Sequence, residues 1–303
     1  MRIIELFAGI GSQTQALKNL GIKHEVIGIS EIDKYALQSY EAIHGKTHNF
    51  GDIKQIDKLP YADLVTYSFP CQDISVAGDQ KGINQNTRSG LLYEVERLLG
   101  NMEEKPKYLL LENVKNLVGK KFKPDFDKWL ERLEQLGYKN YWQVLNAKHY
   151  GVPQNRERVF VVSIRKDLEQ EYIFPEKQEL KIRLKDILEK EVEEKFYLSQ
   201  DKVDKLVFKT KGLSVEEVGY IPRNDEKQHQ SNTIYNPNKL AATLQARDYK
   251  DPQKIICEER SDEGIRFFKY NICGTIRTIN SGGDKRVLEP KIQQIGMLAI
   301  NGI

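Results

Sequence analysis

An alternation of short apolar runs with amphipathic segments over residues 1–165 is the feature that most constrains the fold. Apolar runs bounded by turn residues predict strands at 2–7, 25–30, 63–69, 108–112, 141–147 and 159–165. Helical spacing of apolar residues predicts helices at 13–20, 33–44, 90–102 and 126–136. Strands that alternate with helices form a parallel sheet covered on both faces. The sequence therefore predicts an α/β fold with a doubly wound, Rossmann-like sheet.

The composition changes after Lys166 and predicts a second domain. Residues 176–217 are dense in alternating charge with helical spacing, and short β-rich pieces broken by Asn, Gly and Pro follow them. A chain of 303 residues also exceeds the usual size of one hydrophobic core. We therefore expect one domain over 1–166 and, over 167–303, a charged connector that leads into a smaller β-rich domain.

Composition also narrows the class of protein. No uncharged apolar run approaches the roughly 20 residues of a membrane helix, and residues 1–4 lack the apolar core of a secretion signal. Three cysteines without CxxC spacing are too few for a disulfide framework or a zinc cluster. The net charge of +3 permits a polyanionic partner without requiring one. We expect a cytoplasmic protein with no membrane partner and no metal.

The loop after the first predicted strand, Phe7-Ala8-Gly9-Ile10-Gly11, has the composition of a ligand-binding turn. Its glycines let the backbone approach a ligand just before a helix begins. Glu31 ends the second strand, where an acidic side chain accepts hydrogen bonds from ribose hydroxyls. Asp52 is expected at the end of a third strand, where it could bind the amino group of an adenine. The alternatives are a plain tight turn for the loop and a solvated turn residue for Asp52.

The tripeptide Pro70-Cys71-Gln72 places a lone thiol at the end of a strand. Nucleophiles of α/β proteins often lie there. The alternative, a buried cysteine that serves only as a small apolar side chain, explains the flanking Pro and Gln less well. The polar, glycine-rich segment 75–90 could form a lid over the thiol, with Arg88 available to meet phosphates.

Two further segments carry charged groups beside predicted strands. Glu112 closes the strand at 108–112, where a carboxyl group can be held protonated beside a substrate nitrogen. Gln154, Arg156 and Arg158 alternate with Glu157, so the arginines could clamp an acceptor oxygen from one face. The alternatives are a helix cap or surface ion pair for Glu112 and a solvated strand edge for the arginines.

In this order, the motifs resemble those of the DNA (cytosine-5)-methyltransferase family of bacterial or phage type, over about the first 165 residues. The resemblance implies S-adenosylmethionine as cofactor, S-adenosylhomocysteine as product, and double-stranded DNA as partner. It implies that Cys71 attacks C6 of a flipped-out cytosine, that Glu112 binds N3, and that Arg158, with Arg156 beside it, contacts O2. The residues that it implies for the cofactor are Phe7, Ala8, Gly9, Gly11, Glu31, Ile32, Asp52, Ile53 and Pro70. Those that it implies for DNA are Gln72, Ser75, Arg88 and Gln154.

The resemblance also implies that 1–166 is the catalytic domain and 167–303 an incomplete target-recognition domain. Family members continue into a conserved segment and a last helix, introduced by a Gly-Asn pair, that completes the cofactor pocket. Neither is recognisable here, so we expect a truncated product, a fragment, or one half of a split enzyme whose partner polypeptide supplies these motifs. A cytosine-5 methyltransferase acting on tRNA, a non-catalytic DNA-binding module and a nicotinamide-dependent oxidoreductase remain as alternative functions.

Overall fold

The computed structural model describes residues 1–70, 88–188, 207–208, 217–221, 232–243, 254–260, 264–266 and 284–288. The chain divides into two compact units, Met1–Leu145 with Glu157–Glu176, and Asn146–Arg156 with Lys177–Ile303. The first unit thus extends beyond the predicted boundary at 166. The segment Asn146–Arg156 joins the second unit because Gln154 forms a β-bridge with Ala241. The functional assignment of the two parts stays a prediction.

The first unit contains the predicted alternation of strands and helices. Its strands are β1 (Arg2–Leu6), β2 (Glu25–Ser30), β3 (Leu64–Tyr67), β4 (Tyr108–Val114), β5 (Tyr138–Asn146) and β6 (Glu157–Arg165). Its helices are α1 (Ser12–Asn19), α2 (Lys34–His44), α3 (Leu92–Asn101) and α4 (Lys123–Gln135). The differences from the sequence predictions are at element ends. The largest are at β5 and α4, which begin at Tyr138 and Lys123 and not at 141 and 126. In addition, β4 continues beyond Glu112, and β6 already includes Arg158.

The strand order of the sheet is β2-β1-β3-β4-β6-β5. β1 pairs in parallel with both β2 and β3, and β3 pairs in parallel with β4. The carboxyl ends of these four strands therefore meet at one edge. β6 runs antiparallel to β4, so the start of β6 lies at the edge where β4 ends. This arrangement brings Arg158 to the same edge as Glu112.

Helices cover both faces of the sheet, as alternate residues of β1 show. Ile4 and Leu6 belong to the main apolar cluster, together with residues of α3 and α4. Glu5 lies between them in the strand and points to the opposite face. There its carboxylate accepts hydrogen bonds from the Tyr40 hydroxyl of α2 (2.7 Å) and the Thr14 main-chain N–H of α1 (3.0 Å). The doubly wound prediction is confirmed.

The second unit contains short strands, as predicted. They are β7 (Val207–Phe208), β8 (Glu217–Tyr220), β9 (Thr233–Tyr235), β10 (Lys254–Arg260), β11 (Gly264–Arg266) and β12 (Asp284–Leu288). The sheet order is β11-β10-β9-β8-β7, and β12 also pairs with β10.

The described part of the predicted connector, 177–188, holds one 3-10 turn (Leu184–Ile187) and no α-helix. The main-chain N–H groups of Leu184 and Lys185 donate to the carbonyls of Lys239 and Pro237, which holds this segment to another part of the same unit. Residues 189–206 and 209–216 lie outside the described residues. Within the described part of the chain, no helix is both long and apolar enough to cross a membrane.

Replacement of Gly28 should destabilise the fold where β2 meets the segment that leads to Asp52. A Cβ at Gly28 would lie 2.3 Å from Cε2 of Phe50, whose ring packs against the main cluster. We expect Gly28→Ala to lower the free energy of unfolding by about 1–3 kcal/mol, because the ring must move out of a packed site. Chemical denaturation measures this change. Gly100→Ala is the control, since a Cβ there meets no heavy atom within 4 Å and Ala favours a helix. Equal stability of the two variants would contradict the prediction.

Candidate active site

Three of the predicted site segments reach the same edge of the first unit's sheet. β1 lies between β2 and β3, so the connections that leave β1 and β3 pass to opposite sides and open a crevice at the carboxyl ends. The glycine loop follows β1, residues 68–70 follow β3, and Glu112 lies near the end of β4. The Gln13 amide at the start of α1 contacts the Ser68 hydroxyl across this crevice at 3.3 Å.

The glycine loop turns through the left-handed region of backbone space at three positions. The φ angle is 57° at Phe7, 56° at Gly9 and 78° at Gly11. A Cβ at Gly11 would lie 2.5 Å from Nε2 of His44, so this glycine permits close packing against α2. A Cβ at Gly9 would meet no heavy atom within 4 Å. The loop therefore leaves open space beside Gly9, where a ligand can approach the main chain.

Glu31 holds this loop through its carboxylate. Oε2 accepts a hydrogen bond from the Gly9 N–H (2.8 Å), and Oε1 accepts from the N–H groups of Ile32 (2.9 Å) and Asp33 (2.8 Å). The Asn49 side chain binds both main-chain groups of Glu31, which fixes the residue. Because a carboxylate offers about four acceptor positions, one remains for a ligand hydroxyl.

The expectation that Asp52 ends a strand is wrong, because Asp52 caps the start of a 3-10 turn, Ile53–Gln55, and β3 begins only at Leu64. Oδ1 of Asp52 accepts a hydrogen bond from the Lys54 N–H at 3.0 Å. The first N–H groups of a helical turn have no acceptor within the turn, and this holds for the Ile53 N–H. Ile53 as a residue is 2% exposed and belongs to the core, whereas Ile32 is 74% exposed. Ile53 can thus contribute its main chain, and Ile32 an apolar side chain.

Glu5 is a charged residue of this region for which the sequence analysis assigned no role. It is fully buried under the glycine loop, and its carboxylate binds the first turn of α1, whose N-cap Gly11 has no side chain to do so. Burial raises the pKa of Glu5, and the hydrogen bonds from Tyr40 and Thr14 oppose that rise. The sequence offered one signal for such a role, because Glu5 is a charged residue between the apolar Ile4 and Leu6.

Glu112 and Arg158 form an ion pair at the candidate site. Glu112 lies opposite Phe160 in the β4–β6 register. Residues two apart on a strand share a face, so Arg158 points to the same side as Phe160 and Glu112. Nε of Arg158 lies 3.1 Å from Oε1 of Glu112, and their side chains are only 17% and 22% exposed. Glu157 points to the opposite face, as predicted, and pairs with Lys115 at 2.9 Å.

Asn113, between Glu112 and Val114, ties β4 to the end of β3. Its buried amide donates to the Phe69 carbonyl at 3.0 Å, and its Oδ1 accepts from the Val114 N–H at 2.9 Å. Proline has no N–H, so the Phe69 carbonyl is the only hydrogen-bonding group of the peptide that leads into Pro70. The strand that carries Glu112 therefore holds the residue before the Pro-Cys pair. Asn113 is a further site residue that was not predicted from the sequence. The one feature of the sequence that pointed to it is its position directly after the candidate acid Glu112.

The remaining predicted site residues are distributed as follows. Cys71, Gln72 and Ser75 lie outside the described residues. Arg88 begins a 3-10 turn (Arg88–Leu91), and its side chain also lies outside the description. Arg156 and Gln154 belong to the second unit, where the buried Gln154 amide donates to the Ala242 carbonyl at 3.1 Å. Their predicted contacts with substrate stay predictions. In the described part of the chain, no cluster of three metal-ligand side chains occurs.

Solved structures share this fold at low sequence identity. The Entamoeba histolytica methyltransferase EhMeth has a TM-score of 0.64 at 16% identity, covering 99% of this chain and 96% of its own. The S. pombe Dnmt2 methyltransferase has a TM-score of 0.58 at 16% identity, covering 100% and 93%. At this identity the likeness shows the methyltransferase fold alone.

Sequence comparisons identify closer relatives. The chain is 43% identical to the type II methyltransferase M2.ScrFI of Lactococcus lactis subsp. cremoris, over 67% of this chain and 71% of that protein. It is 36% identical to the orphan methyltransferase M.SPRI of Bacillus phage SPR, over 80% of this chain and 63% of that protein. A family model described as C-5 cytosine-specific DNA methylase matches residues 1–291. With the sheet edge described above, these matches show that the chain belongs to the family of C-5 cytosine-specific DNA methylases.

Proposed function

We propose that this chain transfers a methyl group from S-adenosylmethionine to C5 of a cytosine flipped out of double-stranded DNA, through a covalent bond between Cys71 and C6. The observation that carries the proposal is the Glu112–Arg158 ion pair at the sheet edge where β3 leads into Pro70 and Cys71. Activation of a cytosine requires a thiol, a carboxyl group and a guanidinium. Glu112 and Arg158 meet at this edge, and Cys71 follows Pro70 in the chain. Family membership supports the same chemistry.

The residues around the glycine loop fit an adenosine-bearing cofactor. The remaining acceptor position of Glu31 suits a ribose hydroxyl, and the open space beside Gly9 admits the ligand to the main chain. An adenine edge presents a 6-amino donor next to the N1 acceptor. Asp52 and the Ile53 N–H offer the complementary acceptor and donor, and the exposed Ile32 side chain offers an apolar surface for the ring. When bound, S-adenosylmethionine supplies an electrophilic methyl group on a sulfonium.

Cytosine C5 is a weak nucleophile until a thiolate adds at C6. In the proposed reaction the Cys71 thiolate forms a bond to C6, and the π electron pair of the C5–C6 bond shifts toward N3. N3 takes a proton from the Glu112 carboxyl, which gains that proton from solvent when the base binds. Arg158 donates hydrogen bonds to O2 and orients the Glu112 side chain. C5 of the resulting enamine would then be the nucleophile for the methyl group that bound S-adenosylmethionine would supply, with S-adenosylhomocysteine as the leaving group. A solvent base then removes the C5 proton, the thiolate leaves C6, and N3 returns its proton to Glu112.

A base stacked in a duplex does not expose C6, so the proposal includes flipping of the cytosine into the crevice. DNA is the proposed substrate because the curated relatives are named as type II or orphan methyltransferases. Methyl transfer to tRNA is the alternative. Assays with unmethylated DNA and with tRNA, under the same conditions, separate the two, and transfer only to tRNA would overturn the choice of DNA.

We expect Cys71→Ser to abolish methyl transfer and to leave cofactor affinity nearly unchanged, because the thiol acts on the base. DNA that contains 5-fluorocytosine should form a covalent adduct with the unmutated chain in its active assembly, which includes the partner polypeptide where one supplies the missing motifs, since fluorine cannot leave as the proton does. A denaturing gel and a tritiated-methyl assay measure the two effects. Cys257→Ser, which changes a thiol in β10 of the second unit, is the control and should keep both. Substantial turnover by Cys71→Ser would contradict the assignment of the nucleophile.

Replacement of Glu31 should weaken cofactor binding, whereas replacement of Glu112 should slow methyl transfer. We expect Glu31→Ala to weaken S-adenosylmethionine binding by about 1–3 kcal/mol, because it removes the ribose acceptor and leaves the Gly9 N–H without a partner. Glu112→Gln should lower the rate of methylation with little change in cofactor affinity, since a neutral amide cannot supply the proton to N3. Calorimetry and single-turnover kinetics measure the pair. The opposite pattern would show that the two roles are reversed.

Asn113 should act on the chemical step through the Phe69 carbonyl. We expect Asn113→Ala to slow adduct formation with 5-fluorocytosine DNA by about 10–100-fold, because a small displacement of a reacting group is costly, while cofactor affinity is kept. Asn113→Asp should be slow at neutral pH and faster in mild acid, since only a protonated carboxyl can donate to that carbonyl.

Asn140→Ala is the matched control for Asn113. It removes an amide that donates to the Leu130 carbonyl at 3.0 Å in the same unit, away from the candidate site. The rate and pH profile of adduct formation should match those of the wild type. An equal loss in both Ala variants would show that Asn113 serves stability alone.

A further inference from the structure

We propose that Arg97 of α3 is a positioning residue that sets the purine-binding turn at residues 52–56, and through it the preference of the site for adenine. This inference rests on the proposed function, because that function assigns Asp52 and the Ile53 N–H to the purine edge.

The Arg97 guanidinium bridges α3 and the turn. Nη1 donates to the Ile56 carbonyl at 2.8 Å, and Nη2 donates to the Ile53 carbonyl at 3.1 Å. Nε donates to Glu94, one turn earlier on the helix, at 2.7 Å. One side chain therefore holds both ends of the 3-10 turn, while Glu94 keeps the guanidinium plane in place.

The turn depends on such a partner because it belongs to no strand. The Ile53 carbonyl accepts one hydrogen bond inside the turn, from the Ile56 N–H at 3.3 Å, whereas the Ile56 carbonyl at the end of the turn needs a donor from elsewhere. α3 supplies such donors along one face: Arg97 binds the carbonyls of Ile53 and Ile56, and the Asn101 amide contacts the Asp57 carbonyl at 3.4 Å. Residues at this spacing share a helix face.

The helix itself is a fixed support. Its opposite face buries Leu92, Val95, Leu98 and Leu99 in the main apolar cluster. Through its hydrogen bonds, Arg97 fixes the turn relative to the packed helix α3. The Asp52 carboxylate caps the first residues of the same turn. Since Ile53 carries both the bound carbonyl and the proposed purine donor, a shift at this carbonyl would tilt the donor and Asp52 together. A planar fork that spans two carbonyls is a property of Arg and not of Lys.

The test compares Arg97→Ala, Arg97→Lys and the control Arg132→Ala. Arg132 lies on α4 and pairs with Glu96, which is on α3 like Arg97. Within the described structure, Arg132 has no contact with residues 52–56. The first readout is amide hydrogen exchange in the peptide that covers residues 50–60, in the full chain without ligand. We expect about tenfold faster exchange in Arg97→Ala, a smaller increase in Arg97→Lys, and wild-type exchange in the control.

The second readout is purine selectivity, measured as the ratio of affinities for S-adenosylhomocysteine and S-inosylhomocysteine. The inosine edge turns a carbonyl toward Asp52 and an N–H toward the Ile53 N–H, so the wild type should prefer the adenine compound by about tenfold or more. Arg97→Ala should lower this preference by about threefold or more, with Arg97→Lys between. A general loss of stability would reduce both affinities and leave the ratio unchanged.

The outcomes separate the two proposals. Unchanged exchange over residues 50–60 in Arg97→Ala, or an unchanged affinity ratio, would overturn the role of Arg97. A wild-type chain that binds both compounds equally, or neither, would instead contradict the purine site of the proposed function. Faster exchange together with a lower ratio, both absent from the Arg132→Ala control, would support the assignment.

Discussion

The reversal of strand order around β1 is the constraint on which the rest of the site depends. Because β1 pairs with β2 on one side and β3 on the other, the connections at their carboxyl ends part and leave a crevice. The glycine loop and the segment that leads to Pro70 border this crevice. The antiparallel β6 then returns Arg158 to the end of β4, beside Glu112. One topological choice thus brings the proposed cofactor segments and the Glu112–Arg158 pair to a single edge.

Side chains that bind main-chain groups position the loops along this edge. Glu31 accepts from three N–H groups of the loops around it, Asn113 donates to the Phe69 carbonyl, and Arg97 donates to two carbonyls of the turn after Asp52. Loop backbone outside the strands must find such partners, because an unpaired buried polar group is costly. The buried Glu5 does the same for the first turn of α1. The loops are therefore ordered by the same kinds of residue that the chemistry uses.

Local pattern was enough to predict the elements of the first unit, because apolar periodicity and glycine stops depend on neighbouring residues alone. It was less informative at element ends, where β4 extends through Glu112 because Asn113 and Val114 still pair with β6. It also did not predict that Asn146–Arg156 joins the second unit, since the bridge from Gln154 to Ala241 joins residues far apart in the chain.

The sequence by itself determined the α/β class, the order of the motifs and the identity of the candidate residues, since each is encoded in a short stretch of chain. Only the tertiary structure decided which groups meet. The Glu112–Arg158 pair, the Asn113 amide on Phe69 and the Arg97 fork on Ile53 and Ile56 all join separate segments. The physical reason is that hydrogen bonds and ion pairs depend on distances of about 3 Å, and packing sets such distances after the chain has folded.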